Sequence, residues 1–282
     1  MRAFLNGKFV DRKEKIIRLE DRGLTFAEGL FEVLRIINGI PLFFDDHINR
    51  MKKSAEYFNI SFPYEIEYIK NVLRELIETN EIYDGEVYIE LTRGTDLFRE
   101  HKYQKSYEPT FFILTSPLRN IDPKNWETGA KVFTYPDLRH RLCEHKTINL
   151  LPNVLAKNYA YNRGGYEALM YREDKKGKYI TEGGSSNYFI VKDRVIYTPE
   201  IDNILPGITR EKVIQLSKTM GYSIVEKRVY LDEVFEADEI FLVSTVSKIM
   251  SIKKIDHTLF DGPPLITKDL IQRFNEFINL LI

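Results

Sequence analysis

The sequence predicts a two-domain protein that mixes helices and strands, of the α/β (α+β) type. Three observations predict this fold class. β-rich runs alternate with amphipathic helical segments, a polar stretch with prolines interrupts them near residue 120, and 282 residues at 43% hydrophobic content can fill one large or two medium cores. We therefore expect a first domain over residues 1–118, a linker over residues 119–128 and a larger second domain over residues 129–282.

A β-hairpin is the clearest element expected in the first domain. In the run LFEVLRIINGIPLFF at residues 30–44, Asn38-Gly39 separates two β-rich segments and suits the two positive-φ positions of a type I′ turn. Asp45 is then placed to cap a helix whose apolar residues recur at helical spacing through about residue 58. The other elements expected in this domain are a helix over residues 66–77 and strands over residues 86–93 and 110–115.

The second domain is expected to start near Lys131. It follows the segment PLRNIDPKNWETG, whose two prolines and lack of periodicity are typical of a linker. Pro206-Gly207 turns the chain, so Thr209 can begin an amphipathic helix. The other elements expected here are a helix from about residue 152 to the glycines at 164–165, strands within 167–197 and over 223–230 and 239–244, and an amphipathic C-terminal helix from about residue 264.

Charge and cysteine content exclude several classes of protein. A formal net charge of -1 provides no overall field for nucleic acid or an anionic membrane, so a bound anion must be held by local groups. The single cysteine, Cys143, cannot form an internal disulfide and has no metal-ligand spacing. The charged N-terminus MRAFLNGKFVDRKEK is unlike a signal peptide, and no apolar run reaches the ~20 residues of a membrane span. We expect a cytoplasmic protein that binds a small molecule.

Three segments contain residues that could bind a ligand or take part in catalysis. In LPGITREKVIQLSKTMG at residues 205–221, free N–H groups and the Thr209 hydroxyl at a helix start could bind a phosphate, although a plain helix cap is the alternative. TEGGSSN at residues 181–187 sets one carboxylate among small polar residues, as ordinary loops also do. In RLCEHKTINL, Lys146 precedes apolar residues and could project from a strand end into apolar space, where a lysine becomes a usable nucleophile. Solvated surface is its alternative.

In order and spacing, these segments resemble the class IV aminotransferases, the family of D-amino acid and branched-chain aminotransferases and of aminodeoxychorismate lyase. The resemblance runs over nearly the whole chain, from EDRGLTFAEGLFEVLRI through HKTINLLPNVLAK, TEGGSSNYFIV and ILPGITR to FLVSTVSKI. It implies fold type IV, in which two α/β domains hold pyridoxal 5′-phosphate (PLP) in the cleft between them. It also implies a homodimer whose sites borrow residues from the partner.

The resemblance assigns roles to residues. Lys146 in HKTINL matches the lysine that forms a Schiff base with PLP and moves the proton between the substrate Cα and the cofactor C4′. Glu182 in TEGGSSN matches the carboxylate that keeps the pyridine nitrogen protonated, so that the ring can take up electrons. The remaining matches are Arg50, Ile208, Thr209, Ser244 and Thr245 for the phosphate, Gly207 in the same turn, Leu205 for one face of the ring, and Ser185, Ser186 and Asn187 in the cofactor loop.

Substrate choice depends on how the α-carboxylate is held. In TRGTDLFREH, Arg99 and His101 form an R-x-H pair that resembles the carboxylate trap of D-amino acid aminotransferases. An extended R-x-H segment would put both side chains on one face, while a solvated polar loop is the alternative. Phe31 in GLFEV departs from the pattern, because those enzymes usually carry tyrosine there. The missing hydroxyl could weaken the grip on the carboxylate, broaden specificity or leave an apolar pocket.

The expected activity is transfer of the amino group of a D-amino acid to 2-oxoglutarate by a ping-pong mechanism. The alternatives are a branched-chain L-amino acid aminotransferase, an aminodeoxychorismate lyase that uses the same lysine to expel pyruvate, and a non-enzymatic phosphate-binding or oligomerising protein that keeps the fold. Arg22 and Arg139 are possible partners of a second substrate carboxylate, and the sequence leaves their roles open.

Overall fold

The computed structural model describes residues 1–14, 16–103 and 107–282. The chain divides into two compact units. The first unit comprises Met1–Arg119 with His145–Asn149 and Ile282, and the second comprises Asn120–Glu144 and Leu150–Leu281. The excursion of residues 145–149 into the first unit is not part of the predicted domain scheme, and it carries Lys146.

The first unit is a six-stranded antiparallel sheet whose core lies against two helices. Alternation along the central strands sends Leu30, Leu34 and Ile36 into this core, while Phe31 and Val33 point to the opposite face. Its strands are β1 (Arg2–Leu5), β2 (Lys8–Asp11), β3 (Gly29–Ile37), β4 (Ile40–Pro41), β5 (Asp84–Thr92) and β6 (Thr110–Pro117), in the spatial order β2-β1-β6-β5-β3-β4. Its helices are α1 (Arg22–Phe26), α2 (Phe44–Tyr57) and α3 (Ile66–Thr79).

The expected hairpin is confirmed, and the expected cap of the next helix is wrong. Asn38 and Gly39 have φ of 50° and 77°, as a type I′ turn requires, between the paired strands β3 and β4. Helix α2 begins at Phe44 after a left-handed Phe43, with no side-chain cap. Asp45 therefore lies inside the first turn, where its charge still favours the positive end of the helix dipole. Strands β1 and β2 and helix α1 were not among the elements predicted from the sequence.

The second unit is a nine-stranded mixed sheet with helices. Its strands are β7 (Ala130–Pro136), β8 (Glu167–Asp174), β9 (Gly177–Gly183), β10 (Asn187–Lys192), β11 (Val195–Thr198), β12 (Ile224–Glu226), β13 (Glu239–Ser244), β14 (Lys248–Ile255) and β15 (Thr258–Leu259). Its helices are α4 (Lys124–Glu127), α5 (Leu151–Tyr161), α6 (Ile208–Thr219), α7 (Leu231–Phe235) and α8 (Leu265–Asn279). The spatial order is β12-β11-β10-β13-β14-β7-β8-β9, with β15 on β14, and the pairs β11·β12, β14·β7 and β7·β8 are parallel.

Three expectations for the second unit need correction. Helix α6 begins at Ile208 with Gly207 as its N-cap, so Thr209 is a first-turn residue and does not cap the helix. The strand expected over residues 223–230 covers only Ile224–Glu226, because the chain turns into α7 at Leu231. The stretch expected to be an irregular linker contains the short helix α4, and strand β14 was not predicted at all.

Neither a membrane-spanning helix nor a metal-binding cluster occurs among the described residues. Within those residues, no helix is both long and apolar enough to span a membrane. The same residues contain no group of three or more His, Cys, Asp or Glu side chains arranged to bind a metal ion.

Candidate active site

Lys146 is fixed against the start of strand β3 in the first unit. The N–H of Phe31 donates to the Lys146 carbonyl at 2.9 Å, and the N–H of Ile148 donates to the Gly29 carbonyl at 3.1 Å. Gly29 gives the backbone room here, because a Cβ at this position would lie 2.9 Å from the Ile148 side chain and 3.0 Å from the Leu91 carbonyl oxygen. The Nζ atom of Lys146 lies 4.2 Å from the centroid of the Phe31 ring. Backbone hydrogen bonds to strand β3 therefore hold the Lys146 segment, and the amine lies over the face of an aromatic ring.

The residue before this lysine anchors the segment to helix α2. Nδ1 of His145 lies 3.0 Å from the Ser54 hydroxyl, and its ring stacks on Tyr57 with centroids 4.3 Å apart. Phe58 meets the same ring edge-on at 4.9 Å. Sequence reasoning missed His145, because its partners lie about ninety residues earlier in the chain.

Arg50 belongs to a buried cluster between β3 and α2. Its Nε and Nη2 donate to the two oxygens of Glu32 at 2.7 and 2.8 Å, and Nδ1 of His47 lies 2.7 Å from the same carboxylate. Burial opposes ionisation of Glu32, but the Arg50 charge and the His47 hydrogen bond outweigh it and lower its pKa to about 2. Burial also lowers the pKa of His47, whose Nε2 is buried without a described hydrogen-bond partner. The cluster fixes the direction of the Arg50 side chain.

Arg99 and His101 lie in an exposed loop and share one neighbour. The Cζ atom of Arg99 lies 4.7 Å from the centroid of the Phe26 ring, and the His101 ring centroid lies 5.3 Å from it. The loop is irregular rather than a strand, yet it brings both side chains of the R-x-H pair to the same ring. Arg22, one of the two arginines left open, is buried and pairs with Glu28 at 2.5 Å.

Glu182 is the centre of a buried network in the second unit. Its Oε1 accepts hydrogen bonds from Arg139 and from the Leu205 N–H at 3.1 Å, and its Oε2 accepts one from Asn187 at 3.2 Å. Burial raises the pKa of Glu182, while the Arg139 charge opposes the rise. Asp137 fixes Arg139 in turn, accepting from its Nε and Nη2 at 2.9 and 2.8 Å. Arg139 therefore contacts the carboxylate assigned to the pyridine nitrogen.

The turn before helix α6 is built around Asn187. Its amide also donates to the Leu205 carbonyl at 3.1 Å, and a Cβ on Gly207 would lie 2.1 Å from its Oδ1. Only glycine fits there. Because Gly207 provides no side-chain cap, the first-turn N–H groups of Ile208 and Thr209 have no side-chain acceptor within the helix.

The other predicted residues are held by separate partners in the second unit. Ser185 donates to buried Glu167 at 2.9 Å, Ser186 lies 3.5 Å from the same oxygen, and Lys157 pairs with it at 2.7 Å. Ser244 accepts the N–H of Ser247 at 3.0 Å, so its hydroxyl shapes the turn between β13 and β14 that also contains Thr245.

Within the first unit, the structure brings together Lys146 with Phe31 and Arg99 with His101, and it pairs Arg50 with Glu32. Within the second, it connects Glu182, Asn187, Leu205 and Gly207. Sequence reasoning missed the supporting residues Glu32, His47, Asp137 and Glu167. A signal existed for Glu32: in LFEVLRII it alternates in phase with Leu30 and Leu34, which marks a charge on a buried face.

A model of the amino-transferase class IV family matches residues 29–255. The chain is a class IV aminotransferase. The D-alanine aminotransferase of Bacillus licheniformis is 37% identical over 266 residues, 94% of this chain and 92% of that protein. The D-alanine aminotransferase of Staphylococcus haemolyticus is 32% identical over 98% of each chain.

Two solved structures share its fold. The branched-chain amino acid aminotransferase of Escherichia coli superposes with a TM-score of 0.89 at 24% identity, covering 98% of this chain and 93% of that one. The putative 4-amino-4-deoxychorismate lyase of Legionella pneumophila superposes with a TM-score of 0.83 at 24% identity, over 94% and 97% of the two chains. These superpositions confirm the predicted fold class, and the family-model match confirms the predicted family.

Class IV aminotransferases are PLP-dependent, and the residues present fit this cofactor. The second unit offers a buried carboxylate for a ring nitrogen, since Oε2 of Glu182 accepts one described bond and can accept another. It also offers a helix start whose N–H groups suit a phosphate. The first unit offers the Lys146 amine on an aromatic face.

Proposed function

We propose that this class IV enzyme transfers the amino group of a D-amino acid to a 2-oxo acid, 2-oxoglutarate, by a ping-pong mechanism. The observation that carries the proposal is the 37% identity to a D-alanine aminotransferase over nearly the full length of both chains. The Arg99 and His101 pair on the Phe26 ring agrees with it, because a guanidinium and an imidazole N–H side by side suit one carboxylate.

Lys146 is the catalytic residue of the proposal. With PLP present, its Nζ would hold the cofactor covalently and would carry the proton between the substrate Cα and the cofactor C4′. PLP supplies the electron sink that makes loss of the Cα proton possible. The Phe31 ring under Nζ limits the directions that the amine can take. The two backbone hydrogen bonds of the segment fix the backbone from which the Lys146 side chain extends.

Glu182 holds a proton on the cofactor pyridine nitrogen. Its carboxylate is fixed by Arg139, Asn187 and the Leu205 N–H, so it keeps one orientation. The N–H groups of Ile208 and Thr209 at the start of α6 bind the phosphate, with Gly207 permitting the close turn. By the family resemblance, Ser244 and Thr245 would help to bind the phosphate, Leu205 would contact the ring, and Ser185, Ser186 and Asn187 would form the cofactor loop. Arg50, in the first unit, would carry the phosphate-binding charge that the resemblance assigns to it.

Arg99 and His101 hold the α-carboxylate of the substrate. Phe31 contributes no hydroxyl, so the carboxylate depends on the R-x-H pair alone for this contact. We also place the enzyme in the cytoplasm as a homodimer. A single half-buried cysteine fits a reducing compartment, and size-exclusion chromatography with light scattering would measure the mass of the assembly.

The test is the absorbance spectrum of the PLP-loaded protein before and after separate additions of D-alanine, D-glutamate, L-glutamate and L-leucine. We expect D-amino acids alone to convert the bound cofactor to pyridoxamine 5′-phosphate. Conversion by L-amino acids alone would contradict the D preference and favour a branched-chain type of enzyme. Release of pyruvate from aminodeoxychorismate would identify the lyase activity instead.

A further inference from the structure

The face of the first sheet that carries Lys146 is lined by an aromatic row. Phe31 stacks on Tyr88 with centroids 5.8 Å apart and planes at 28°, and Tyr88 lies 6.0 Å from Phe112. All three point away from the helix-covered core, because they alternate with core residues along β3, β5 and β6. The row begins at the ring on which Nζ of Lys146 lies.

One carboxylate interrupts this aromatic face. Glu90 of β5 is the register partner of Phe31 on β3 and of Phe112 on β6, so its side chain stands between the two rings. It is half-buried and accepts a hydrogen bond from the Tyr88 hydroxyl. Burial raises the pKa of Glu90, the Tyr88 hydrogen bond opposes the rise, and the charge of Asp21 adds to it. These surroundings disfavour a negative charge.

Two other charged residues on this face, one on β3 and one on β5, already have ion-pair partners. Arg35 pairs with Asp84, and Glu86 pairs with Arg119. Among the residues described, Glu90 makes no ion pair, and its bond to the Tyr88 hydroxyl leaves its charge uncompensated. An uncompensated carboxylate among aromatic rings attracts a cation twice, through its own charge and through the ring faces, and repels a second anion.

We propose that Glu90, with the aromatic row Phe31, Tyr88 and Phe112, sets the charge selectivity for the substrate side chain, favouring cationic over anionic side chains. The inference rests on the proposed function, because it takes Lys146 as the residue at which the substrate amine reacts. It adds a substrate class: D-amino acids with a basic side chain. Acidic substrates, 2-oxoglutarate included, react less efficiently in the wild type than they would without Glu90.

The first test compares wild type and Glu90→Gln in the half-reaction of the PLP enzyme with D-ornithine, D-alanine and D-glutamate, followed by stopped-flow absorbance. We expect the ratio of kcat/KM for D-ornithine to that for D-glutamate to fall on the order of tenfold, the size of one partly screened charge interaction. The value for neutral D-alanine should change by less than about threefold. Glu90→Thr provides a second, strand-compatible variant if the glutamine variant folds poorly.

A binding measurement separates selectivity from turnover. Glutarate and 4-(trimethylammonio)butanoate lack a reactive amine, so calorimetry on the holoenzyme gives their Kd values without chemistry. We expect Glu90→Gln to tighten glutarate binding and to weaken binding of the quaternary cation, shifting the Kd ratio by roughly tenfold. Glu86→Gln is the matched control, because it removes one charge from the same strand where Arg119 already compensates it.

Three results would overturn the inference: unchanged ratios in both measurements, an equal shift in Glu86→Gln, or a wild type that prefers D-glutamate more strongly than Glu90→Gln does. Failure of the proposed function is distinguishable from these. If only L-amino acids react, the same ratio is measured with L-ornithine and L-glutamate, and if none reacts, the Kd ratio decides.

Discussion

Nδ1 of His47 lies 2.7 Å from Oε2 of Glu32, and both side chains are excluded from solvent. The same carboxylate pairs with Arg50 through two hydrogen bonds. Strand β3 thus supplies a charge that holds two residues of helix α2. This pairing connects the strand that carries Phe31 to the arginine assigned to the cofactor phosphate.

Replacement of Glu32 by glutamine should destabilise the protein in a pH-dependent way. Removing one partner of a buried ion pair takes away the carboxylate that holds both Arg50 and His47, so we expect a loss of roughly 3 kcal/mol in the free energy of unfolding at pH 7. The folded pKa of Glu32 is lowered from 4.5 to about 2, so its contribution is complete above pH 4.5 and is lost as pH falls towards 2.

Urea denaturation of wild type and Glu32→Gln between pH 7 and pH 3 measures this difference, which should shrink in the acid range. The exposed Glu75→Gln on helix α3 is the control and should change stability by less than about 0.5 kcal/mol. A difference between wild type and Glu32→Gln that stays constant from pH 7 to pH 3 would contradict the ion-pair assignment.

Replacement of Lys146 by arginine should abolish covalent attachment of PLP while keeping a cation on the Phe31 ring. Borohydride reduction followed by peptide mass spectrometry should find the cofactor on the Lys146 peptide in the wild type and on no peptide of the variant. Lys131→Arg is a matched control, because Nζ of Lys131 also lies over an aromatic ring, that of Phe133, at 4.6 Å. Loss of attachment in that control would argue against a specific role for Lys146.

Replacement of Arg139 by glutamine should leave two buried carboxylates, Asp137 and Glu182, without their shared guanidinium. We expect a loss of about 3–5 kcal/mol and a further rise in the pKa of Glu182, because burial raises it and Arg139 opposes the rise. A raised carboxyl pKa costs stability as pH increases above 4.5, so the loss should grow with pH up to the new folded pKa.

Thermal unfolding at several pH values, together with kcat for D-alanine, would measure the effect of Arg139→Gln. Arg172→Gln is the control, since Arg172 contacts Asp137 at 2.9 Å and forms no described hydrogen bond to Glu182. It should destabilise the fold with a smaller effect on kcat. Equal losses of kcat in both variants would assign the effect to Asp137 rather than to Glu182.

Replacement of Phe31 by tyrosine should strengthen the grip on the substrate carboxylate. One added hydrogen bond is worth about 1 kcal/mol, so KM for D-alanine should fall roughly fivefold with kcat little changed. Steady-state kinetics would measure both constants. Phe133→Tyr, which alters the ring beside Lys131, is the control and should leave them unchanged. A higher KM in Phe31→Tyr would show that the apolar ring itself contacts the substrate.

The sequence by itself determined the turns and helices that depend on the preferences of neighbouring residues. Asn38-Gly39 required a type I′ turn, because few other residues adopt two consecutive positive φ angles, and apolar spacing placed helices α2 and α3 within two residues of their bounds. The order and spacing of HKTINL, TEGGSSN and ILPGITR also sufficed to identify the family that the model match over residues 29–255 confirms.

Only the tertiary structure decided which side chains meet. Arg50 meets Glu32 across 18 positions and Glu90 stands opposite Phe31 across 59, and neither spacing follows from a local period. Strands β7 and β14 are parallel neighbours although more than a hundred residues separate them. Local dihedral preferences and periodicity fix turns and helices, whereas long-range pairing depends on which faces can be buried together. The sequence therefore proposed Lys146 as the reacting lysine, and the fold placed its Nζ over the ring of Phe31, whose register partner is Glu90.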